Sequence, residues 1–182
     1  MLHIDREFVE AYRARYDARF ADKTDPRDEQ ELRNWLANMA EPKYLDWDHF
    51  LKLAKWKSPR PERHYEKNDE GLVIEATRIS FQASHDKLKL HILMVLEGVS
   101  VAVASTILHF LFPDQYPIFD VRTRSALDKA GKWRQGHDPK EDGDIDAWAY
   151  YVQVMRGLSK ELDVSLRDLD KALFAYDKWP EG

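Results

Sequence analysis

The sequence predicts an all-α fold, and three observations carry the prediction. Apolar residues recur at three- and four-residue spacing along most of the 182-residue chain. No stretch alternates apolar and polar residues in the way of a half-buried strand, and Pro, Gly and capping residues punctuate the chain at helix-length intervals. A chain of this length is enough for one domain with a real core, so a single helical domain over 1–182, two-lobed, is expected.

The elements follow in order. Asp5 can cap a helix whose Phe8, Val9, Tyr12, Tyr16 and Phe20 fall on one side. Asp25-Pro26 is a start signal of the cap-then-proline kind, and Leu32, Trp35, Leu36 and Met39 form the next stripe before Pro42. A short helix through Phe50, Leu51 and Ala54 stops at Ser58-Pro59, because the residue before a proline is pushed out of the helical region. Leu72, Val73, Ala76, Ile79 and Ala83 mark another helix, and Leu88, Ile92 and Val95 one more, ending at Gly98. The segment from Val99 to Phe112 is rich in β-branched residues, but fourteen residues make an unusually long strand. Ala102, Ser105, Thr106 and His109 at helical spacing give it a narrow, less apolar face, so it reads as a helix. Arg122 to Ala130 is helical with Gly131 as its stop, and KWRQGHDPKEDGD is a loop. Two closing helices bury Ile145, Trp148, Tyr151, Val152, Met155 and Leu162, and then Leu166, Leu169, Leu173 and Tyr176. Ser165 with Asp168 three residues on opens the second as a capping-box variant.

Composition excludes several classes. There is no cysteine, so disulfides and cysteine-ligated zinc or iron-sulfur sites are ruled out. That usage and the charged opening MLHIDREFVEAYRARYDARF, which lacks the apolar segment of an export signal, lead to the expectation of a cytoplasmic protein. The run from Val99 to Phe112 is shorter than the ~20 residues of a membrane span, so no membrane partner is expected. A net charge of −5 argues against general affinity for nucleic acid. The charge is uneven, however, and KLAKWKSPRPERHYEK holds six basic residues against two acidic ones.

The stretch LEGVSVAVASTILHFLFPDQYPIFDVRTRSAL carries the chemistry. A helix ends near Leu96, turns at Gly98 and restarts near Ser100, so two helices over about 86–112 are joined by a tight hairpin. Amides of that turn and of the second helix's first turn lack intrahelical acceptors, and together they make a nest for a phosphate. Gly98 lets the backbone approach closely and can take positive φ.

These residues resemble a family. LEGVSVAVASTIL is similar to the helix-hairpin-helix of the endonuclease III-type DNA glycosylases, whose pattern is Leu-Pro-Gly-Val-Gly-x-Lys-Thr-Ala. YPIFDVRTRSAL is similar to the following segment, typically Val-Asp-Thr-His-x-x-Arg, which holds the family's catalytic Asp. With Leu96, Gly98, Val99 and Ala104 on the hairpin pattern, Asp120 falls on the catalytic position without a gap. The likeness covers about thirty residues and points to a divergent bacterial branch of the superfamily. The lysine that bifunctional members use falls on Ala102, so the resemblance implies monofunctional chemistry without lyase activity. Ser100 and Glu97 stand where the pattern has Gly and Pro, and Glu97 sets a carboxylate beside the expected phosphate site.

The resemblance implies excision of a damaged or modified base from double-stranded DNA by a monomer without metal or cofactor. The nucleotide leaves the stack, and an ionised Asp120 at the mouth of a cleft between two lobes stabilises the cationic sugar or activates water. It implies phosphate contacts from Gly98, Val99 and Ser100. Lys57, Arg60, Arg122 and Arg124 are candidates to join them, although Arg122 and Arg124 lie on nearly opposite sides of their helix. Trp56 and Tyr116 are candidates for a base pocket. Each has a plainer reading: Asp120 as a helix cap, Trp56 as core, Tyr116 as part of a rigid stop. His85-Asp86 and His137-Asp138 lack metal-ligand spacing and read as surface pairs. Two alternatives stay open: a DNA-binding protein on this scaffold without catalysis, and a helical protein-interaction module.

Overall fold

The computed structural model describes residues 1–21, 29–41, 43–141 and 143–179, and among them it holds ten helices and no strand. The protein is all-α. Seven of these helices start at a residue whose side-chain oxygen accepts a backbone amide of the first turn: Asp5, Asp46, Asp69, Ser100, Asp120, Asp144 and Ser165. Such a cap satisfies one of the amides a helix start leaves without an acceptor, for about 1 kcal/mol each. The Asp25-Pro26 start and the Pro42 stop lie outside the described residues.

The chain divides into two compact units, Met1–Asp25 with Pro113–Gly182, and Pro26–Phe112. The first holds α1 (Arg6–Arg19), α8 (Val121–Lys129), α9 (Ile145–Leu162) and α10 (Leu166–Lys178). The α1–α10 pair is zipped by rings: Phe8 and Tyr12 meet Tyr176 at 5.6 and 5.3 Å, Tyr16 meets Phe174 at 5.7 Å, and Phe20 meets Trp179 at 5.8 Å. Beneath them Phe119, Trp148 and Tyr151 fill the interior with Leu169 and Leu173. The α9–α10 corner turns at Asp163, which takes φ 52° while the Val164 amide bonds the Ser159 carbonyl. Ser165 caps α10 with its hydroxyl, which accepts the Asp168 amide (3.0 Å) and donates to the Asp168 carboxylate (2.7 Å) in place of the backbone bond that completes a capping box.

The second unit holds α2 (Glu29–Ala37), α3 (Trp47–Lys57), α4 (Glu62–Tyr65), α5 (Glu70–Gln82), α6 (Asp86–Leu93) and α7 (Val101–Leu111). Helix α7 is its axis and packs on α2, α3 and α6. The segment with strand-like composition is therefore helical, and its less apolar face is buried as well: the Ser105 and Thr106 hydroxyls both donate to the Ala102 carbonyl at 2.9 Å. His109, fully buried, has Nε2 at 2.9 Å from the Arg33 guanidinium.

Two stripes differ from expectation. On α5 Leu72 and Ile79 are exposed, and the buried face is Val73, Ala76, Thr77, Ser80 and Phe81. The polar pair is tolerated there because Thr77 donates to the Val73 carbonyl and accepts the Leu45 amide, while Ser80 donates to the Lys89 carbonyl. On α6 Leu88 is 51% exposed, and Val95 beyond its end is 58% exposed, whereas Leu90, Leu93 and Leu96 are buried. Lys89 is buried in place of an apolar residue because its ammonium donates to the Ser80 and Phe81 carbonyls at the end of α5. That burial lowers the lysine's pKa. The short α4, between Pro61 and the Asn68 turn, has too few residues to show a stripe.

Candidate functional site

The residues with candidate roles fall into the two units. Trp56, Lys57, Arg60, Gly98, Val99 and Ser100 belong to the second, and Tyr116, Asp120, Arg122 and Arg124 to the first.

In the second unit α6 and α7 are joined through a turn in which Gly98 takes φ 81° and Ser100 caps α7. A Cβ on Gly98 would stand 2.8 Å from Tyr65 Cδ1 and 2.9 Å from His64 Cβ, so glycine is required by packing as well as by φ. Tyr65 is fully buried and donates its hydroxyl to the Ser58 carbonyl at 3.0 Å. Asn68 clasps the other side: its Oδ1 accepts the Glu97 amide at 2.7 Å, and its Nδ2 donates to the Glu97 and Tyr65 carbonyls. The basic segment with Lys57 and Arg60 is thereby tied to the hairpin turn, a link between distant stretches that no local pattern reveals.

This clasp corrects two expectations. The Glu97 amide is committed to Asn68 and does not belong to an anion nest, and a proline at 97, as in the glycosylase pattern, would remove that donor. The Val99 side chain is buried and its amide donates to the Leu96 carbonyl at 3.1 Å, so Val99 leaves no donor for a phosphate. Ser100 and Arg60 are exposed, and Lys57 is half-buried. Trp56 is half-buried edge-to-face against Phe110, with ring centroids 5.0 Å apart, and so belongs to the α3–α7 packing.

In the first unit the chain from Tyr116 to Phe119 is buried and delivers Asp120, half-buried, to the start of α8. The Asp120 carboxylate accepts the Arg122 amide, two residues on, at 2.9 Å. The other six side-chain caps all accept from the residue three positions on: Phe8, His49, Leu72, Val103, Ala147 and Asp168. Asp120 is the exception among these caps. Helix α8 also turns its dipole's positive end toward this carboxylate.

The surroundings of Asp120 correct two more expectations, those for Tyr116 and Arg124. Tyr116 is 1% exposed, stacked on Trp148 at 5.9 Å with the Arg156 guanidinium over its ring, so it is sealed from any base. Arg124 is 7% exposed with its guanidinium 4.3 Å from the Phe119 ring centre, so it faces the interior and not a DNA backbone. Arg122 turns to α10, pairing with Asp177 at 3.4 Å, where Lys129 is also bound.

Sequence reasoning assigned Tyr151 to the core and missed what it holds. Its hydroxyl donates to the Ile118 carbonyl at 2.9 Å and lies 3.0 Å from Thr123 Oγ1, which bonds the Asp120 carbonyl at 2.8 Å. Burial first, and then the carboxylates of Asp170 and Asp120, push the Tyr151 phenol well above the usual 10.0. A raised value favours the neutral phenol in the folded state. The stability it contributes is complete below the unfolded value of 10.0 and is lost as pH rises past it toward the folded value. Urea unfolding of the parent and Tyr151→Phe from about pH 8 to about pH 11 should show the parent's advantage constant at first and shrinking at the alkaline end. An advantage that stays level throughout would mean that the phenol is not shielded.

Among the described residues no group of three or more His, Asp or Glu is placed to hold a metal ion, and no helix is long and apolar enough to cross a membrane. His85 is exposed at the start of α6, and Asp138 accepts the Lys140 amide at 2.8 Å. No protein family, characterised protein or solved structure matches the chain, so the reading of Asp120 and the hairpin rests on their own geometry and on the short segment that carries the resemblance.

Proposed function

We propose that the protein is a monofunctional base-excision enzyme of helix-hairpin-helix type, acting on a damaged or modified base in duplex DNA. The observation that carries this reading is the Asp120 carboxylate, half-buried at a helix start and held by an amide two residues on where the other caps use the third. A carboxylate so placed lies at the positive end of the helix dipole and, as the anion, can stabilise the cationic sugar as the base departs, or take a proton from an attacking water. The glycosidic bond is out of reach in the stack, so the target nucleotide is extruded first. Ala102 offers no amine, so the product is an intact abasic site. Gly98, the Ser100 backbone and Arg60 are the candidates for phosphate contacts within the second unit.

A panel of labelled duplexes, each carrying one modified base, tests the reading. Free base should be released from at least one member, with strand cleavage only after alkali, and duplex binding should weaken as salt rises. Salt-dependent binding with no release across the panel would leave a DNA-binding protein without chemistry. A protein-interaction module is favoured by one specific observation, the exposure of Leu72, Ile79, Leu88 and Val95 in the second unit. Loss of all DNA binding would make that reading the better one.

A further inference from the structure

We propose that Tyr151 is a positioning residue for Asp120, setting through the Ile118 carbonyl and Thr123 the direction in which the Asp120 carboxylate leaves the start of α8. Its functional meaning rests on the base-excision reading; its structural content does not.

Asp120 is the last extended residue before α8, with φ −132° and ψ 144°. The place of its carboxylate therefore depends on the peptides on either side of it. Tyr151 reaches the chain on both sides of Asp120, touching the 118–119 peptide directly and the 120–121 peptide through Thr123. On the N-terminal side its hydroxyl bonds the Ile118 carbonyl, and on the C-terminal side it lies against Thr123 Oγ1, which bonds the Asp120 carbonyl. The phenol is itself immobile, fully buried with its ring edge-on to Phe119 at 5.3 Å, on a helix capped by Asp144. The carboxylate hangs between the 119–120 and 120–121 peptides, so a small rotation of either displaces it. Misplacing a catalytic group by about 1 Å can cost on the order of a hundredfold in rate. A residue whose only role was to fill the core would need a ring here, and phenylalanine would supply it.

The test uses the full chain and three variants. Tyr151→Phe removes the hydroxyl, Thr123→Val removes its partner with little change in volume, and Thr123→Ser keeps the partner. Hydrogen exchange of the Arg122 amide reports on the carboxylate, since that amide donates to it. The Phe8 amide, which donates to the Asp5 cap in the same unit, is the control for opening of that unit. Arg122 should exchange about tenfold faster or more in Tyr151→Phe and Thr123→Val, at the parent rate in Thr123→Ser, with Phe8 unchanged. Single-turnover base release should fall by about tenfold or more in the first two variants while duplex affinity stays within about twofold. Parental Arg122 exchange in Tyr151→Phe overturns the proposal whatever Thr123→Val does, because Thr123 also bonds the Asp120 carbonyl by itself, and so does base release that falls only in step with duplex affinity. If the parent releases no base, the excision reading fails and the exchange data still decide the brace. If Tyr151→Phe is unfolded under ordinary conditions, its exchange is read in a stabilising osmolyte against the parent in the same solution, and Thr123→Val against Thr123→Ser shows whether the effect passes through the Thr123 hydroxyl.

Discussion

Asp120→Asn should abolish base release, by a factor of about a hundred or more, while leaving the fold standing. The size follows from the role: a positioned carboxylate acting as base, or as the counter-charge to a developing cation, supplies ~10²–10⁴ of rate. Asparagine keeps the carbonyl oxygen that can accept the Arg122 amide and nearly all of the volume, and it is among the best caps, so stability should change by less than about 1 kcal/mol. Removing a negative charge also removes repulsion from the phosphate backbone, so duplex affinity should hold or rise. The three readouts separate the two roles of the residue. A catalytic Asp120 gives lost release with retained stability and retained binding, measured on the same preparation. A residue that is only a cap gives a small stability change and nothing else. Release within about threefold of the parent would remove Asp120 from the chemistry.

How much of this was legible in the sequence depends on whether the controlling interaction is local. The caps were legible, because Asp or Ser before an apolar stripe acts on an amide two or three residues away; Asp5, Asp120 and Ser165 all cap as expected. The helical state of α7 was legible from length against strand statistics, despite its β-branched composition. The facing of α5 and α6 was not. There the buried face includes Thr77, Ser80 and Lys89, which an apolar stripe cannot flag, because each is made tolerable by a partner outside its own turn. The Asn68–Glu97 clasp and the Tyr151–Ile118 bond join residues 29 and 33 apart in sequence, and no spacing rule links them. Tyr116 and Arg124 failed as site residues for a related reason: an aromatic and a cation near a candidate carboxylate suit a site, but the same types seal cores when Trp148 or Phe119 lies opposite.

Gly98→Ala should cost about 3 kcal/mol of stability, a large effect for the addition of one methyl group. Two causes contribute. At φ 81° an L-residue meets its own carbonyl, for about 1–2 kcal/mol. The new Cβ would also stand 2.8 Å from Tyr65 Cδ1, and that ring cannot retreat, being fully buried with its hydroxyl bonded to the Ser58 carbonyl. Forcing a carbon into such a contact costs about 1–3 kcal/mol. The causes can be separated. In a Tyr65→Leu background the ring's share of the steric part should vanish while the His64 Cβ contact at 2.9 Å and the φ part remain, so Gly98→Ala should then cost about 1 kcal/mol less, and that difference is the coupling the cycle reads. Equal costs in the two backgrounds would mean that Tyr65 does not fix the turn. DNA binding adds a second readout. At a temperature where Gly98→Ala is still folded, its duplex affinity should fall further than that of Arg60→Ala, because a displaced turn moves the Ser100 backbone along with it, whereas loss of one exposed arginine removes a single phosphate contact. If Arg60→Ala is the weaker binder of the two, the turn is a structural joint between α6 and α7 and the phosphates are held by the basic segment that Asn68 ties to it.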